Sequence, residues 1–220
     1  DQLFLVDCGE GAQIQMRRNH VKFGQIDHIF ISHLHGDHYF GLIGLLSSLH
    51  LLDRRKTLVL FGPPELWSLL EIQFRASGTR LKYEIDFRPL RPNTEEVLLD
   101  TKKIKVESLV MKHSIDTWGF LFTEKSKPRN LIKSKIEEYN IPRYVRDQIK
   151  DGGDLTRDDG TIIPNSELTT APPPIKSYAY FSDTAYRPEN IEKVSGADLM
   201  YHETTFTDGD RDKAEKTLHS

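Results

Sequence analysis

The chain has 220 residues, 37% of them hydrophobic and 29% charged, with a formal net charge of −3. That is enough chain for a real core in one large domain or two small ones, with ordinary globular composition. It excludes a global basic field as the means of gripping nucleic acid. It also excludes a membrane span, since no apolar run nears the roughly 18 residues one needs, and, with Cys8 alone, an intramolecular disulfide.

In chain order, Leu3 to Val6 reads as a short strand and Asp7 to Gly11 as a turn with two glycines. Ala12 to Asn19 has the pattern of a first amphipathic helix. Ile26 to Ser32 reads as a strand, with Ile29 to Ile31 an apolar run of the kind that makes a buried strand. Phe40 to Leu52 is a helix apolar on most of its circumference, hence largely buried. Gly41 and Gly44 weaken it by about 1 kcal/mol each, and their small size would let another backbone come close. His50, near its end, reads as a satisfied helix-end histidine. Leu58 to Phe61 is a strand, Gly62-Pro63-Pro64 a turn, and a helix starts at Pro64 or Glu65 and runs to Leu70. Tyr83 to Phe87 alternates like a half-exposed strand. Glu96 to Leu99 and Ile104 to Val110 read as a hairpin, ending in the isolated His113. Trp118 to Phe122 is the next strand.

Residues 124 to 176 differ in character. Lys125, Lys127, Arg129, Lys133, Lys135, Arg143, Arg146 and Lys150 crowd together. Helical patterns over Leu131 to Tyr139 and Arg143 to Lys150 are parted by Ile141-Pro142, and Gly152-Gly153, Asp158-Asp159-Gly160 and Pro172-Pro173-Pro174 mark loops. Such a segment is either a solvated insertion or a clamp whose cations pair with RNA phosphates. Tyr178 to Phe181 and Asp198 to Tyr201 are two further strands. The chain opens in a strand approach and stops at His219-Ser220 without a closing element, so it reads as a fragment cut at both ends.

The stretch with chemistry in it is His33-Leu34-His35-Gly36-Asp37-His38. A strand delivers three histidines and an aspartate within six positions. Their ring nitrogens and charge cannot be buried without compensation. His33 and His35, two apart in extended backbone, point the same way, and Gly36 lets the chain turn before Asp37 and His38. One loop therefore offers two pairs of ligands to two cations. Imidazole and carboxylate donors suit zinc, and also manganese or iron. Beside this loop, His113 alone would be a core or loop histidine, Asp183 after a strand a turn former, and Asp7 a turn-capping residue.

The loop resembles the signature of the metallo-β-lactamase superfamily. Phe4-Leu5-Val6-Asp7-Cys8-Gly9-Glu10-Gly11 before it and Gly41-Leu42-Ile43-Gly44-Leu45-Leu46 after it resemble one branch closely, the ribonuclease Z family of tRNA 3′-processing endonucleases. His202-Glu203-Thr204-Thr205 and His219-Ser220 resemble that family's His-Glu-Ala-Thr and His-Ser-Thr motifs, with Thr204 where alanine is usual. The resemblance implies a four-layer αβ/βα sandwich, incomplete at both termini. In it, residues 1–220 form one metallo-β-lactamase-like domain and 124–176 a basic inserted arm that grips precursor tRNA.

It further implies that His33, His35 and His113 hold one zinc ion and Asp37 and His38 a second, with Asp183 bridging. Asp37 assists the attacking water, and Glu203 paired with His219 handles a proton near the leaving group. RNA contacts fall to Lys125, Lys127, Arg129, Lys133, Arg143 and Arg146. The expected protein is a cytoplasmic homodimer with precursor tRNA as partner and no membrane. A further histidine that the family places downstream is outside the chain, so the second cation should be held more weakly and the fragment should be an impaired enzyme. Two other readings stand beside this one: a hydrolase of the same fold acting on another phosphodiester, a sulfate ester or a thioester, and a metal-poor binding protein without catalysis.

Overall fold

The computed structural model describes residues 2–220. In chain order its elements are β1 (Leu3–Val6), α1 (Ala12–Arg18), β2 (Ile26–Phe30), α2 (Gly36–Tyr39), α3 (Leu42–Leu51), β3 (Leu58–Gly62), α4 (Leu66–Ala76), β4 (Ile85–Pro89), β5 (Val97–Asp100), β6 (Ile104–Val110) and β7 (Trp118–Glu124). There follow β8 (Asn130–Leu131), α5 (Lys133–Glu138), α6 (Arg146–Lys150), β9 (Leu155–Thr156), β10 (Ile162–Ile163), α7 (Asn165–Leu168), β11 (Thr169–Thr170), β12 (Ser177–Phe181), α8 (Ile191–Val194), β13 (Leu199–His202) and α9 (Arg211–Thr217). The chain divides into a larger unit, comprising residues up to Leu99, Val106–Phe122 and Tyr178–Ser220, and a smaller one, Asp100–Lys105 with Thr123–Ser177. Among the described residues no helix is long and apolar enough to cross a membrane.

The larger unit is built on two sheets. One is wholly parallel, in the order β1-β2-β3-β4. Its inner strand β3 reads as a near-continuous apolar run because both faces are covered. Alternation then sorts the side chains. Ile29, Ile31, Leu58 and Leu60 face outward, against Leu42, Leu45, Leu46 and Leu49 of α3 and Leu66 and Leu70 of α4. Phe30 and Phe61 face the other way and stack with ring centroids 4.8 Å apart. Across from them stands the second sheet, in the order β13-β12-β7-β6-β5, whose Phe120 and Phe122 close on Phe30 at 5.3 and 5.5 Å. The far face of that sheet carries Leu109, Met111, Ala179 and Phe181, covered by Val194 at the end of α8 and by Ala197. Helices, sheet, sheet and helix make the four layers of the αβ/βα sandwich.

The elements depart from the sequence reading where long-range packing decides. The strand expected at Tyr83 starts at Ile85, because Tyr83 is drawn under α3 and donates its hydroxyl to the Leu46 carbonyl at 2.9 Å. The helix expected to stop at Leu70 runs on to Ala76. Residues 36–39 form a helical turn rather than a loop. Gly36 has no left-handed backbone there, and a β-carbon would lie 2.3 Å from the exposed Phe40 ring, which would have to swing aside.

The smaller unit has a core of its own, Ile141, Ile149, Leu155, Ile163 and Leu168, and two short antiparallel ladders, β8 with β11 and β9 with β10. Asn165 ties them by donating from Nδ2 to the carbonyls of Ile149 and Gly153 at 2.6 and 2.7 Å. It carries thirteen Lys and Arg against ten Asp and Glu, so the basic excess of this acidic chain is concentrated here.

Gly9 and Gly41 set how closely the turn after β1 lies against the loop at 33–41. Cys8 N–H donates to the His38 carbonyl at 2.7 Å and Gly41 N–H to the Cys8 carbonyl at 2.8 Å. A β-carbon on Gly9 would sit 1.9 Å from the Asp37 oxygen, and one on Gly41 2.1 Å from the Gly9 oxygen. These neighbours are backbone and cannot swing aside. Gly9→Ala and Gly41→Ala should each destabilise the protein by at least about 1–3 kcal/mol. Gly24→Ala, in open space, should stay within about 0.5 kcal/mol of the parent. Thermal unfolding of the three variants checks this.

Candidate metal centre

Three strand ends supply the site. His33 and His35 follow β2, His113 follows β6 and Asp183 follows β12, so the donors gather outside the carboxyl ends of strands, where α/β folds place their ligands. His33 Nε2 and His113 Nε2 stand 3.1 and 3.2 Å from His35 Nδ1. Asp183 Oδ2 is 3.5 Å from His33 Nε2 and 3.9 Å from His113 Nε2. Donors about 2.0–2.1 Å from a zinc ion at tetrahedral angles stand about 3.3–3.4 Å apart. The other Asp183 oxygen faces a second group: His38 Nε2 lies 3.4 Å from Asp183 Oδ1 and 3.4 Å from Asp37 Oδ2. Within each group, His33, His35, His113 and Asp183 or Asp37, His38 and Asp183, the ligand atoms lie within 4.8 Å of one another.

Hydrogen bonds behind the rings decide which nitrogens face inward. His113 Nδ1 donates to the Leu218 carbonyl at 3.0 Å, and His38 Nδ1 donates to Asp7 Oδ2 at 2.8 Å. With the outer nitrogens so engaged, Nε2 of each ring is the atom that faces a carboxylate. Acceptors facing acceptors repel unless a positive charge lies between them. The donor set therefore fits divalent cations.

The same network sets proton affinities. Burial lowers His33 and His113. Burial also pulls His38 down, but hydrogen bonds to Asp183 and Asp7 outweigh it and push His38 up to about 10. Burial acts to raise Asp183, yet the bonds from His33 and His38 hold its carboxyl well below the usual range.

Asp7 is the residue the sequence left undecided, and its geometry is more than a turn cap. It sits at φ 55°. Its carboxylate accepts from Ser32 N–H at 2.7 Å and from the Ser32 hydroxyl, His38 Nδ1 and the Tyr180 hydroxyl, each at 2.8 Å. Burial and the neighbouring Asp7 charge drive the Tyr180 phenol far up, so it stays a donor. Ser32 and Ser182 complete the backing of His33: their hydroxyls are 2.8 Å apart and lie 3.0 and 3.4 Å from His33 Nδ1. Sequence reasoning missed Ser32, Tyr180 and Ser182. The one local signal was Ser32 directly before His33.

Glu203 and His219 meet at the rim. Glu203 is 7% exposed. Its Oε1 accepts from Thr184 N–H at 3.2 Å, Ser220 N–H at 2.8 Å and His219 Nδ1 at 3.2 Å. Its Oε2 accepts from the N–H and hydroxyl of Thr205 at 2.9 and 2.8 Å. With Nδ1 so engaged, His219 Nε2 faces Asp183 Oδ2 at 3.9 Å. The turn before it is made by Leu218, left-handed at φ 58°, whose carbonyl is the one that holds His113.

The six basic residues singled out for RNA lie in the smaller unit and divide by what already engages them. Lys125 pairs with Asp100 and Lys127 with Glu124 at 3.6 Å. Arg129 donates to the Thr169 hydroxyl at 2.7 Å, and Arg146 to the Ile141 carbonyl at 3.0 and 3.1 Å. Lys133 and Arg143 are exposed. Arg129 and Arg146 therefore brace the fold, and the exposed cations are the ones open to a partner.

Two outcomes follow. Asp7→Asn should weaken cation affinity about 10–100-fold by loosening His38, as read by competition with a chromogenic chelator. His38, raised to about 10, carries a proton at neutral pH when no cation is bound. Cation uptake at pH 7 should then release protons, and affinity should rise with pH until that proton is gone. Calorimetry in buffers of different ionisation enthalpy measures the release.

With this geometry in hand, comparisons with known proteins place the chain. Residues 1–127 match the family model described as anti-Pycsar protein Apyc1. That span takes in residues 33–38 and 113 but stops before Asp183, Glu203 and His219. Along the whole chain, ribonuclease Z of Parabacteroides distasonis is 43% identical over 220 residues, covering 100% of this chain and 72% of its own length. Ribonuclease Z of Phocaeicola vulgatus is 42% identical, covering 100% and 71%. Among solved structures, human tRNase Z, short form, is similar with a TM-score of 0.70 at 23% identity, over 100% of this chain and 73% of that one. The metallo-β-lactamase fold protein YhfI of Bacillus subtilis has a TM-score of 0.58 at 18% identity, over 100% and 65%. The chain, a metallo-β-lactamase-fold sandwich matched from end to end by these relatives, belongs to the ribonuclease Z family.

Proposed function

We propose that the protein is a zinc-dependent endoribonuclease that removes the 3′ trailer from precursor tRNA by attack of water on a phosphodiester. The observation that carries this is the match to ribonuclease Z sequences over the whole chain, Glu203 and His219 included. His33, His35, His113 and Asp183 would hold one zinc ion, and Asp37, His38 and Asp183 a second; manganese or iron would suit the same donors. Two such cations, when bound, lower the pKa of water and stabilise charge on phosphoryl oxygens.

The chain's own groups do the rest. Asp37, its side chain 78% exposed, would orient the water and accept its proton. Glu203 fixes the His219 tautomer through Nδ1, leaving Nε2 to carry a proton to the departing 3′ oxygen. The P–O bond to that oxygen breaks as the bond to water's oxygen forms, giving a tRNA with a free 3′ hydroxyl and a trailer with a 5′ phosphate. Exposed cations of the smaller unit, Lys127, Lys133 and Arg143, would meet phosphates, so affinity should fall steeply with salt. In this reading the protein works in the cytoplasm as a homodimer, and light scattering of the native protein tests the second point.

Residues 33–38 and 113 fall inside a family match of another name, so the metal loop alone does not choose the ester. A second reading keeps the centre and cuts a different phosphodiester. Cleavage of precursor tRNA beside a generic phosphodiester separates them, and preference for the generic ester would favour the second. His35→Ala should abolish cleavage and release one zinc. Glu203→Gln should lower kcat about 10²–10⁴-fold with KM nearly unchanged. Dialysis against a chelator, followed by elemental analysis, should strip the three-residue group before the four-residue group, because it offers fewer donors.

A further inference from the structure

Beside the cation site lies a cleft of about 960 Å³ that the reading above leaves without a role. It is bounded by the segments that carry the ligands. Leu34 separates His33 from His35, residues 110–118 flank His113, and residues 186–189 follow Asp183. All of them belong to the larger unit. His113 itself lines the cleft, so a ligand seated there can reach the edge of the cation site.

We propose that this cleft is a subsite for one unpaired nucleotide adjoining the scissile phosphate, and that it takes the base rather than the phosphate. The inference rests on the ribonuclease reading and names which portion of the substrate the cleft holds. Its walls offer apolar surface: Tyr186 is 73% exposed and Ile115 40% exposed. An exposed tyrosine beside a cleft is the element on which single-stranded bases stack, irrespective of sequence. The charges argue against a phosphate. Glu65, Asp116 and Glu189 line the cleft against Lys112 and Arg187, and Arg187 is already 3.8 Å from Glu189 and within 3.5 Å of the Met111 carbonyl. Carboxylates repel phosphate but accept from the amino and imino groups on a base edge.

Trp118 adds the complementary donor. It lines the cleft, is 1% exposed, and its indole N–H has no acceptor among the described residues. A buried N–H without a partner costs about 1–3 kcal/mol, which a carbonyl or ring nitrogen of a base would relieve once a small shift of the cleft wall uncovers it. Lys112, exposed and without a side-chain partner among the described residues, remains to meet the backbone at the rim. A paired base has its Watson–Crick edge occupied and its faces stacked, so an occupant that uses both is single-stranded.

The test uses the full chain loaded with zinc and a fluorescein-labelled, phosphorothioate-linked single strand of six nucleotides, read by anisotropy. Tyr186→Ala should weaken binding about 5–100-fold, the size of one base–aromatic stack, and Tyr186→Phe should restore it. Binding of a duplex of the same length and hydrolysis of a small chromogenic phosphodiester should be unchanged in both variants. Single-strand affinity unchanged by Tyr186→Ala would overturn the proposal, as would equal loss of duplex binding or of the small-ester activity. Cleavage of precursor tRNA by the unaltered chain is scored separately. Its absence counts against the ribonuclease reading, while the single-strand affinities still decide the subsite.

Discussion

The structure depends on one convergence of like with like. Ring nitrogens from residues 33, 35, 38 and 113 converge on each other and on the carboxylate of Asp183. Left alone, such an arrangement repels. Protons or divalent cations are what make it tolerable: a second proton on His38 serves while no cation is bound, and the outer hydrogen bonds to Asp7 and the Leu218 carbonyl keep Nε2 of two rings facing inward for a cation to take over. The fold is arranged to hold that tension. Phenylalanines clamp the two sheets together, glycines let the first turn lie on the metal loop, and Tyr180 of one sheet donates to Asp7 beside the other.

Asp183 is the pivot because its two oxygens face different groups. A single carboxylate at the end of β12 then links the β2 loop and the β6 loop through charge rather than through packing. The buried Glu203 plays a comparable role farther out. Its five accepted hydrogen bonds gather Thr184, Thr205, His219 and Ser220 into one cluster directly behind Asp183.

Much of this was legible in the sequence, for physical reasons that can be named. Strand β3 is buried on both faces and is therefore written as an apolar run, while β2 and β12 show themselves by the apolar residues at their carboxyl ends. The loop at 33–38 stands out because three imidazoles and a carboxylate at that spacing have few structural uses. The supporting shell was not legible. Asp7 meets Ser32, His38 and Tyr180 across 25, 31 and 173 residues, and hydroxyls carry no periodic signal. The small ladders β8 with β11 and β9 with β10 are two residues long per strand, below any pattern that alternation could reveal. The basic stretch read as one charged surface. Arg129 and Arg146 turn back into their own unit, a difference that only the folded backbone could decide.

The left-handed residue at Leu218 gives α9 an unexpected strictness of length. On one side of that turn a carbonyl fastens His113, and on the other the very next side chain reaches Glu203. Each residue of an α-helix advances its end by about 1.5 Å and rotates it by about 100°. A single insertion or deletion between Arg211 and Thr217 would therefore swing both attachments away from their partners together. The helix is exposed along most of its length, so its surface can drift freely in composition while its residue count cannot.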